Sequence, residues 1–468
     1  MYRPNLHFSA KKGWINDPNG LIFFQEKYHL YYQYNPYGCD WDSMHWGHAV
    51  SKDLLHWEEY EIVLFPDQSY DQHKEGGCFS GSVIVKDDRI FLFYTGSIKN
   101  DDLLVQSQCA AVSEDGFLFK KLECNPLLKK HPLDGGNDFR DPKVIYAQGR
   151  FRMVCGGTDI SADDPLSHGR IYLFNSDDLL HWEYAGILYQ AGDGEGSMYE
   201  CPDLFMIDDK WILTASPMYR SDYKQNIFMM GSVDFEQCTF VKESEGMLDT
   251  GTHYYAVQTY ENISIAWLGG WNWMPWIHKK SPTNKEGFRG VLSIPRKNWI
   301  DKEGYLCSGF YPDFKECVIE KYTEKEVSLS YADNSILKYL KELNQTIHLF
   351  FAINYENWKS KELQLFLKGE KSSGIEYSFL LDHKKCIINY NMADQYSRYG
   401  IREFDIELKD GYLDFEMLID KSVCTMFIAK GRYANTTTFF PENGELSLII
   451  KSLDKEDVLE NVKIEFLK

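Results

Sequence analysis

The sequence predicts an all-β chain in two units: a five-bladed β-propeller over residues 1–310, and a β-sandwich over residues 325–468. Three observations carry that reading. Short apolar, β-rich runs recur from the N-terminus as far as Trp267. A Ser-centred segment repeats four times at nearly even intervals. The repeat stops near Pro295, while strand-like runs continue to the C-terminus.

The runs include His29–Tyr34, Ile90–Tyr94 and Ile263–Trp267, separated by Gly, Asn and Asp turns. That is the pattern of many short antiparallel strands. Helical periodicity is scarce. One candidate is Ser335–Leu343, where Ile336, Leu337, Leu340 and Leu343 share a face. The repeat is clearest at Ser51 (SKDLLHWEEY) and Ser176 (SDDLLHWEY), with looser copies at Ser113 (SEDGFLFKKL) and Ser232 (SVDFEQCTFV). In chain order the marks are Ser51, Ser113, Ser176 and Ser232, so the period is almost constant. Each copy reads as a tight Asp turn followed by a strand carrying Trp or Phe. A unit of this length holds about four strands, and is slightly longer than a usual propeller blade. Four marked copies and one unmarked terminal copy make five blades; the competing reading is an irregular sandwich. Beyond Pro295 charged residues become denser. Runs at Thr346–Ile353, Glu362–Leu367, Tyr377–Leu381, Tyr412–Ile419, Cys424–Ile428 and Leu446–Ile450 predict the second all-β unit.

Composition excludes several functions. Fifty Lys and Arg against seventy Asp and Glu give a net charge of −20, which argues against a nucleic-acid partner. An aromatic content of 15% is not that of a disordered chain. No apolar run approaches the roughly 18 residues of a membrane span. The start, Met1–Asn5, lacks the basic-then-apolar pattern of a signal peptide, and eleven dispersed Cys without a CxxC pair read as reduced thiols. The expected location is the cytoplasm.

Three acid-bearing motifs carry the chemistry: Trp14-Ile15-Asn16-Asp17-Pro18-Asn19-Gly20, Phe139-Arg140-Asp141-Pro142 and Tyr199-Glu200-Cys201-Pro202-Asp203. Each sets an acid beside Pro or Cys-Pro at the start of a strand-like run, where Pro fixes the backbone and removes a donor. Their spacing follows the repeat. Asp17 and Asp141 are two periods apart, Asp141 and Glu200 one, and one period beyond Asp17 falls at Phe79-Ser80. Equivalent blade positions meet around the axis, so Asp17, Ser80, Asp141 and Glu200 are expected to face one funnel. Clustered carboxylates repel, so at least one should keep its proton near neutrality. A neutral acid beside an ionised nucleophile is the arrangement that cleaves glycosides. Trp14, Trp41, Trp46, Trp271, Trp273 and Trp276 are candidate rings for stacking on a sugar.

Competing signals are weak. His45-Trp46-Gly47-His48 lacks further ligands at metal spacing, so no metal and no cofactor are expected. Gly192-Asp193-Gly194-Glu195-Gly196 lacks the Gly-Lys-Ser ending of a phosphate loop, and no GxSxG elbow occurs. A non-catalytic carbohydrate-binding propeller, and an inverting glycosidase of the arabinan-cleaving kind, stay open on these residues alone.

The motifs WINDPNG, YHLYYQYNP, MHWGHAVSKDLLHW, GCFSGS, FRDPK and YECPDLF are similar, in order, to those of glycoside hydrolase family 32, which contains invertases, sucrose-6-phosphate hydrolases and fructan hydrolases. The resemblance runs from Tyr2 to Arg296 and weakens in the C-terminal third. It implies the propeller and sandwich, with Asp17 as nucleophile, Glu200 as general acid/base and Asp141 as transition-state stabiliser. It implies that Arg140 binds fructose hydroxyls and that Trp14, Asn16, Gln33, Trp41, Phe79, Ser80 and Trp271 line the sugar site. The implied partner is a small sugar: sucrose, sucrose 6-phosphate or a short fructan. Two departures stand out. Thr425 occupies the Glu position of a D-R-S-x-V-E-x-F motif, and His278, Lys279 and Lys280, followed by Lys285 and Arg289, form an unusual basic cluster. That cluster is expected to receive a phosphorylated leaving group at the funnel rim.

Overall fold

The structure is a computed structural model that describes residues 2–468 except 101–102, 134, 160–167, 223, 272–280, 330–345, 370–373, 392, 394–399, 442–446 and 454. The helix candidate Ser335–Leu343, and Trp273, Trp276, His278, Lys279 and Lys280, lie outside the described residues. The described residues form thirty-two β-strands with no α-helix among them. The chain is thus nearly all-β.

Five antiparallel sheets follow one another between Gly13 and Phe310, each with its main strands ordered as in the sequence. Sheet 1 holds Gly13–Phe24, Lys27–Asn35, His45–Ser51 and Trp57–Leu64, and Phe288–Arg289 pairs in parallel with the start of its first strand. Sheet 2 holds Gly77–Lys86, Arg89–Asn100, Leu103–Ser113 and Lys120–Lys121. Sheet 3 holds Phe139–Ala147, Arg150–Thr158, Gly169–Ser176 and Glu183–Gln190. Sheet 4 holds Met198–Ile207, Lys210–Met218, Ile227–Asp234 and Thr239–Met247, and sheet 5 holds Tyr255–Tyr260, Ile263–Trp267, Arg296–Ile300 and Leu306–Phe310. Each first strand packs on the first strand of the next sheet, and the fifth returns to pack on the first.

The repeat seen in the sequence is the turn between third and fourth strands. Ser51 Oγ accepts the Leu54 N–H at 2.8 Å, while Asp53 Oδ1 accepts from the N–H groups of Leu55 and His56 at 2.9 and 2.8 Å. The same set recurs at Ser113 and Asp115, and at Ser176 and Asp178. At the fourth copy Asp234 Oδ1 accepts from Glu236 and Gln237. A short polar side chain that replaces a backbone acceptor is what fixes such a turn.

The last third forms two sheets. Sheet 6 orders Val318–Leu329, Asp457–Leu467, Thr346–Asn354, Tyr412–Asp420, Val423–Ile428 and Tyr433–Thr438; sheet 7 orders Ile401–Asp405, Lys385–Asn389, Gly374–Leu380, Glu362–Lys368 and Ser447–Ser452. Alternate residues of both, such as Leu363, Leu365 and Leu367 with Leu413, Phe415 and Met417, are buried in one core, as the alternating faces of a strand require.

The N-terminal segment is tied to sheet 6 through the buried Asp420. Its carboxylate accepts from the backbone N–H groups of Asn5, Leu6 and His7, from Thr346 Oγ1, and from His7 Nδ1 at 2.9 Å. Burial alone would raise its pKa; His7 and the backbone donors outweigh burial and hold it at about 2. A second tie joins the buried pair Arg296–Asp249 (2.9 Å) to Thr436, whose hydroxyl also meets Thr425 at 3.2 Å. Thr425 therefore fills its motif position as a buried, hydrogen-bonded hydroxyl.

Candidate active site

The ladder of each first strand is broken by a register shift at the same level. The shifts fall between Ile15 and Gly20, between Phe79 and Gly81, between Arg140 and Lys143, between Glu200 and Asp203, and between Tyr255 and Gln258. A bulge adds a residue and re-aims the side chains around it. Asp141, Cys201 and Ala256 take φ values of 64°, 47° and 54° there. Pro18, Pro142 and Pro202 sit in the broken stretches, where a residue without an N–H leaves no orphan donor. Gly156 lets sheet 4 approach: a Cβ there would lie 2.1 Å from the Tyr199 carbonyl oxygen.

The bulges bring the predicted acids together. Ser80 Oγ donates to Asp17 Oδ2 at 2.7 Å. The Cys201 N–H donates to Asp141 Oδ2 at 2.9 Å, and the Cys201 sulfur lies 3.7 Å from both Asp17 Oδ2 and Asp141 Oδ2. Arg140 donates from Nε and Nη2 to Glu200 Oε1 at 3.2 and 2.9 Å, pairs with Asp138, and lies 3.9 Å from Asp141. Glu200 is the most open of the three, half-buried where Asp17 and Asp141 are buried.

Burial dominates the electrostatics. It raises the Asp17 pKa to about 6, with the Ser80 hydrogen bond opposing and the Glu200 charge adding. It raises Asp141 to about 7; Arg140 opposes, and Glu200 and Asp17 add. Burial and mutual repulsion thus push both buried acids toward keeping a proton. Burial also works against the Arg140 charge, but Asp138, Glu200 and Asp141 outweigh it and keep the guanidinium protonated. Asp17, Asp138, Asp141 and Glu200 together outnumber the one Arg among them. The excess of acid suits a reaction that builds positive charge on its substrate.

The residues expected to line the sugar site differ in exposure. Trp41 and Phe79 are half-buried and meet edge to face at 5.8 Å. Trp271 is half-buried, 6.0 Å from the Trp14 ring. Trp14 is itself enclosed and reaches the site through its Nε1 bond to Asn16 Oδ1 at 2.8 Å. Gln33 is enclosed too, with its amide on the Cys78 carbonyl at 2.9 Å. Trp46 is a correction. It is fully buried and its Nε1 donates to the Phe79 carbonyl at 3.0 Å, so it is core and offers no face to a sugar. Of the basic cluster, Lys285 is exposed, while Arg289 lies 4.9 Å over the Trp14 ring and pairs with Asp40 at 3.1 Å.

Two residues escaped the sequence reading. Cys201 bridges two of the acids. Tyr255 donates its hydroxyl to Glu200 Oε2 at 2.6 Å. The signal for Tyr255 was the repeat itself, since it stands about one period after Glu200, at the fifth equivalent position.

Residues 7–308 match the glycosyl hydrolases family 32 N-terminal domain. A sucrose-6-phosphate hydrolase of Zymomonas mobilis is 31% identical over 98% of this chain and 91% of its own length. Among solved structures, the sucrose-6-phosphate hydrolase of Lactobacillus gasseri has a TM-score of 0.84 at 23% identity, covering 100% of this chain and 93% of that one. The Bombyx mori β-fructofuranosidase BmSUC1 has a TM-score of 0.83 at 24% identity, covering 100% and 94%. With a matched domain over more than half its length and three acids gathered from three sheets, the chain belongs to glycoside hydrolase family 32 and is a glycoside hydrolase.

Proposed function

We propose that this enzyme is a retaining β-fructofuranosidase that hydrolyses sucrose or sucrose 6-phosphate. The carrying observation is the convergence of Asp17, Asp141 and Glu200 on Cys201 and Arg140. Asp17, held by Ser80, is the nucleophile and attacks the anomeric carbon of fructose. Glu200, the outermost acid, protonates the leaving oxygen. A covalent fructosyl-enzyme forms, and Glu200 then takes a proton from water as that water displaces Asp17. Asp141 and Arg140 hold fructose hydroxyls in contacts that tighten as the ring becomes cationic. Trp41, Phe79 and Trp271 supply apolar surface.

In the same reading, the five sheets are the blades of a propeller over residues 1–310, and sheets 6 and 7 form a sandwich that starts at Val318, slightly before the expected 325–468. The closed circuit of first strands and the shared core of the last two sheets support it. Eleven free thiols fit a cytoplasmic location.

A panel of sucrose, sucrose 6-phosphate, inulin and levan oligosaccharides tests the substrate, with the anomer of the first product read by NMR. Fructose released first as the β-anomer, from sucrose or its phosphate, is expected. First release of the α-anomer overturns the double displacement, and faster cleavage of the fructans makes the enzyme an exo-acting fructan hydrolase.

A further inference from the structure

We propose that Tyr255 is a positioning residue for Glu200, its hydroxyl turning between the Glu200 carboxylate and the Ser216 carbonyl as the acid/base gives up and regains its proton. This rests on the reading of Glu200 as acid/base and adds which oxygen carries the proton.

The two oxygens of Glu200 are not equivalent. Oε1 receives two N–H groups of Arg140, at 3.2 and 2.9 Å. Arg140 has no lone pair to offer, so a proton on Oε1 would face two donors. The acidic proton therefore belongs on Oε2. That oxygen has the Tyr255 hydroxyl at 2.6 Å, and the same hydroxyl lies 3.3 Å from the Ser216 carbonyl oxygen. One hydrogen thus has two acceptors. Ser216 is the cross-strand partner of Glu200, and its own hydroxyl accepts the Ala256 N–H at 2.8 Å. Donor, acid and alternative acceptor are fixed to one another across sheets 4 and 5. The Tyr255 side chain is fully buried and packs on Trp267, so it is shielded from the sugar.

The cycle balances. In the first step the bond between fructose and its leaving oxygen breaks as Asp17 bonds to the anomeric carbon. The Oε2–H bond breaks, its proton goes to the leaving oxygen, and the Tyr255 hydrogen turns from Ser216 to the new carboxylate. In the second step water gives a proton to Oε2, its oxygen bonds to the anomeric carbon, and the bond to Asp17 breaks. The Tyr255 hydrogen then returns to Ser216.

The test compares Tyr255→Phe with Glu200→Ala on sucrose and on an aryl β-fructofuranoside with a good leaving group, with and without azide. A hydrogen bond to a charged group sets the scale, so Tyr255→Phe should lower kcat on sucrose about tenfold to a hundredfold. KM should hold. On the aryl substrate with azide, where neither step needs proton transfer, the loss should be under about threefold. An equal loss on both substrates, a loss confined to KM, or full activity on sucrose overturns the role of Tyr255. Glu200→Ala separates the two ideas. If it is rescued by the aryl substrate and azide while Tyr255→Phe is not, Tyr255 alone falls; if it is not rescued, the acid/base assignment falls and takes Tyr255 with it. Should Tyr255→Phe fail to fold, 3-fluorotyrosine at 255 keeps the ring and strengthens the donor. Its ratio of sucrose to aryl activity should then rise, and an unchanged ratio overturns the proposal.

Discussion

Ser80→Ala should move the acid limb of the pH profile without unfolding the enzyme. Asp17 must be ionised to attack, so activity rises with pH through its pKa, which burial sets at about 6. Ser80 opposes that burial through a 2.7 Å hydrogen bond to Oδ2. Asn16 and the Cys201 sulfur, at 3.7 Å, also favour the charged form, by less than Ser80 does. A hydrogen bond to a charged group is worth about 1.5–3 kcal/mol, and one pH unit corresponds to about 1.4 kcal/mol. Loss of the hydroxyl should therefore lift the limb by about 1 to 2 pH units. With a lift of about one unit, the variant at the wild-type midpoint would be only about one-tenth ionised, a loss of about fivefold that vanishes about two units higher. Initial rates of sucrose cleavage at low substrate give kcat/KM, which reports ionisations of the free enzyme. A uniform fall would report a lost sugar contact. An acid limb that stays in place would refute the argument that Ser80 tunes Asp17.

Other variants separate chemistry from stability. Asp17→Asn keeps the shape and removes the nucleophilic charge, so single-turnover assays should show kcat falling by several orders of magnitude while the melting temperature is retained. Asp420→Asn should cost about 2 kcal/mol, the cost of losing a buried carboxylate held at about 2 rather than 3.8. Because that pKa is depressed, the wild-type advantage in urea unfolding should be full above about pH 4 and shrink as the pH falls toward 2. Lys279→Ala with Lys280→Ala should raise KM for sucrose 6-phosphate and leave sucrose nearly unchanged, with added salt narrowing the difference.

Much of the site was legible because its parts recur in phase. Asp17, Asp141 and Glu200 stand out by their Pro-flanked motifs, counting by the repeat adds Ser80, and each stands at the bulge of a first strand. The count worked because every sheet repeats the same meander and turn. It stopped short of Tyr255, whose segment His253-Tyr254-Tyr255-Ala256 carries neither an acid nor a Pro. Trp46 shows a different limit. A Trp beside a site motif looks the same in sequence whether its ring faces a sugar or the core, and here its strand turns the ring inward against Tyr94. The ties at Asp420 and Arg296 were out of reach, because Asp420 meets Leu6 from the far end of the chain and Arg296 meets Thr436 of the distant sheet 6.

The same architecture explains how three carboxylates are held so close. Their repulsion, and the left-handed backbone at Asp141, Cys201 and Ala256, both oppose folding; a non-Gly residue there costs roughly 1–2 kcal/mol. The compensation lies slightly farther along the same strands. Just beyond Asp141, the buried Lys143 pairs with Asp203 at 2.8 Å and donates to the Thr259 carbonyl at 2.6 Å. Asp203, just beyond Glu200, also accepts from the Thr259 N–H and hydroxyl. Just beyond Ser80, the Ser82 hydroxyl donates to the Pro142 carbonyl and accepts the Val144 N–H. Each of these bulges is thus followed by a cross-sheet lock that joins it to its neighbour. A chemistry that crowds acids at one level is supported by an ion pair and cross-sheet hydrogen bonds at the next. The bulge makes this possible, since the extra residue lets one short strand aim its acid into the site and its next polar side chain into the adjoining sheet.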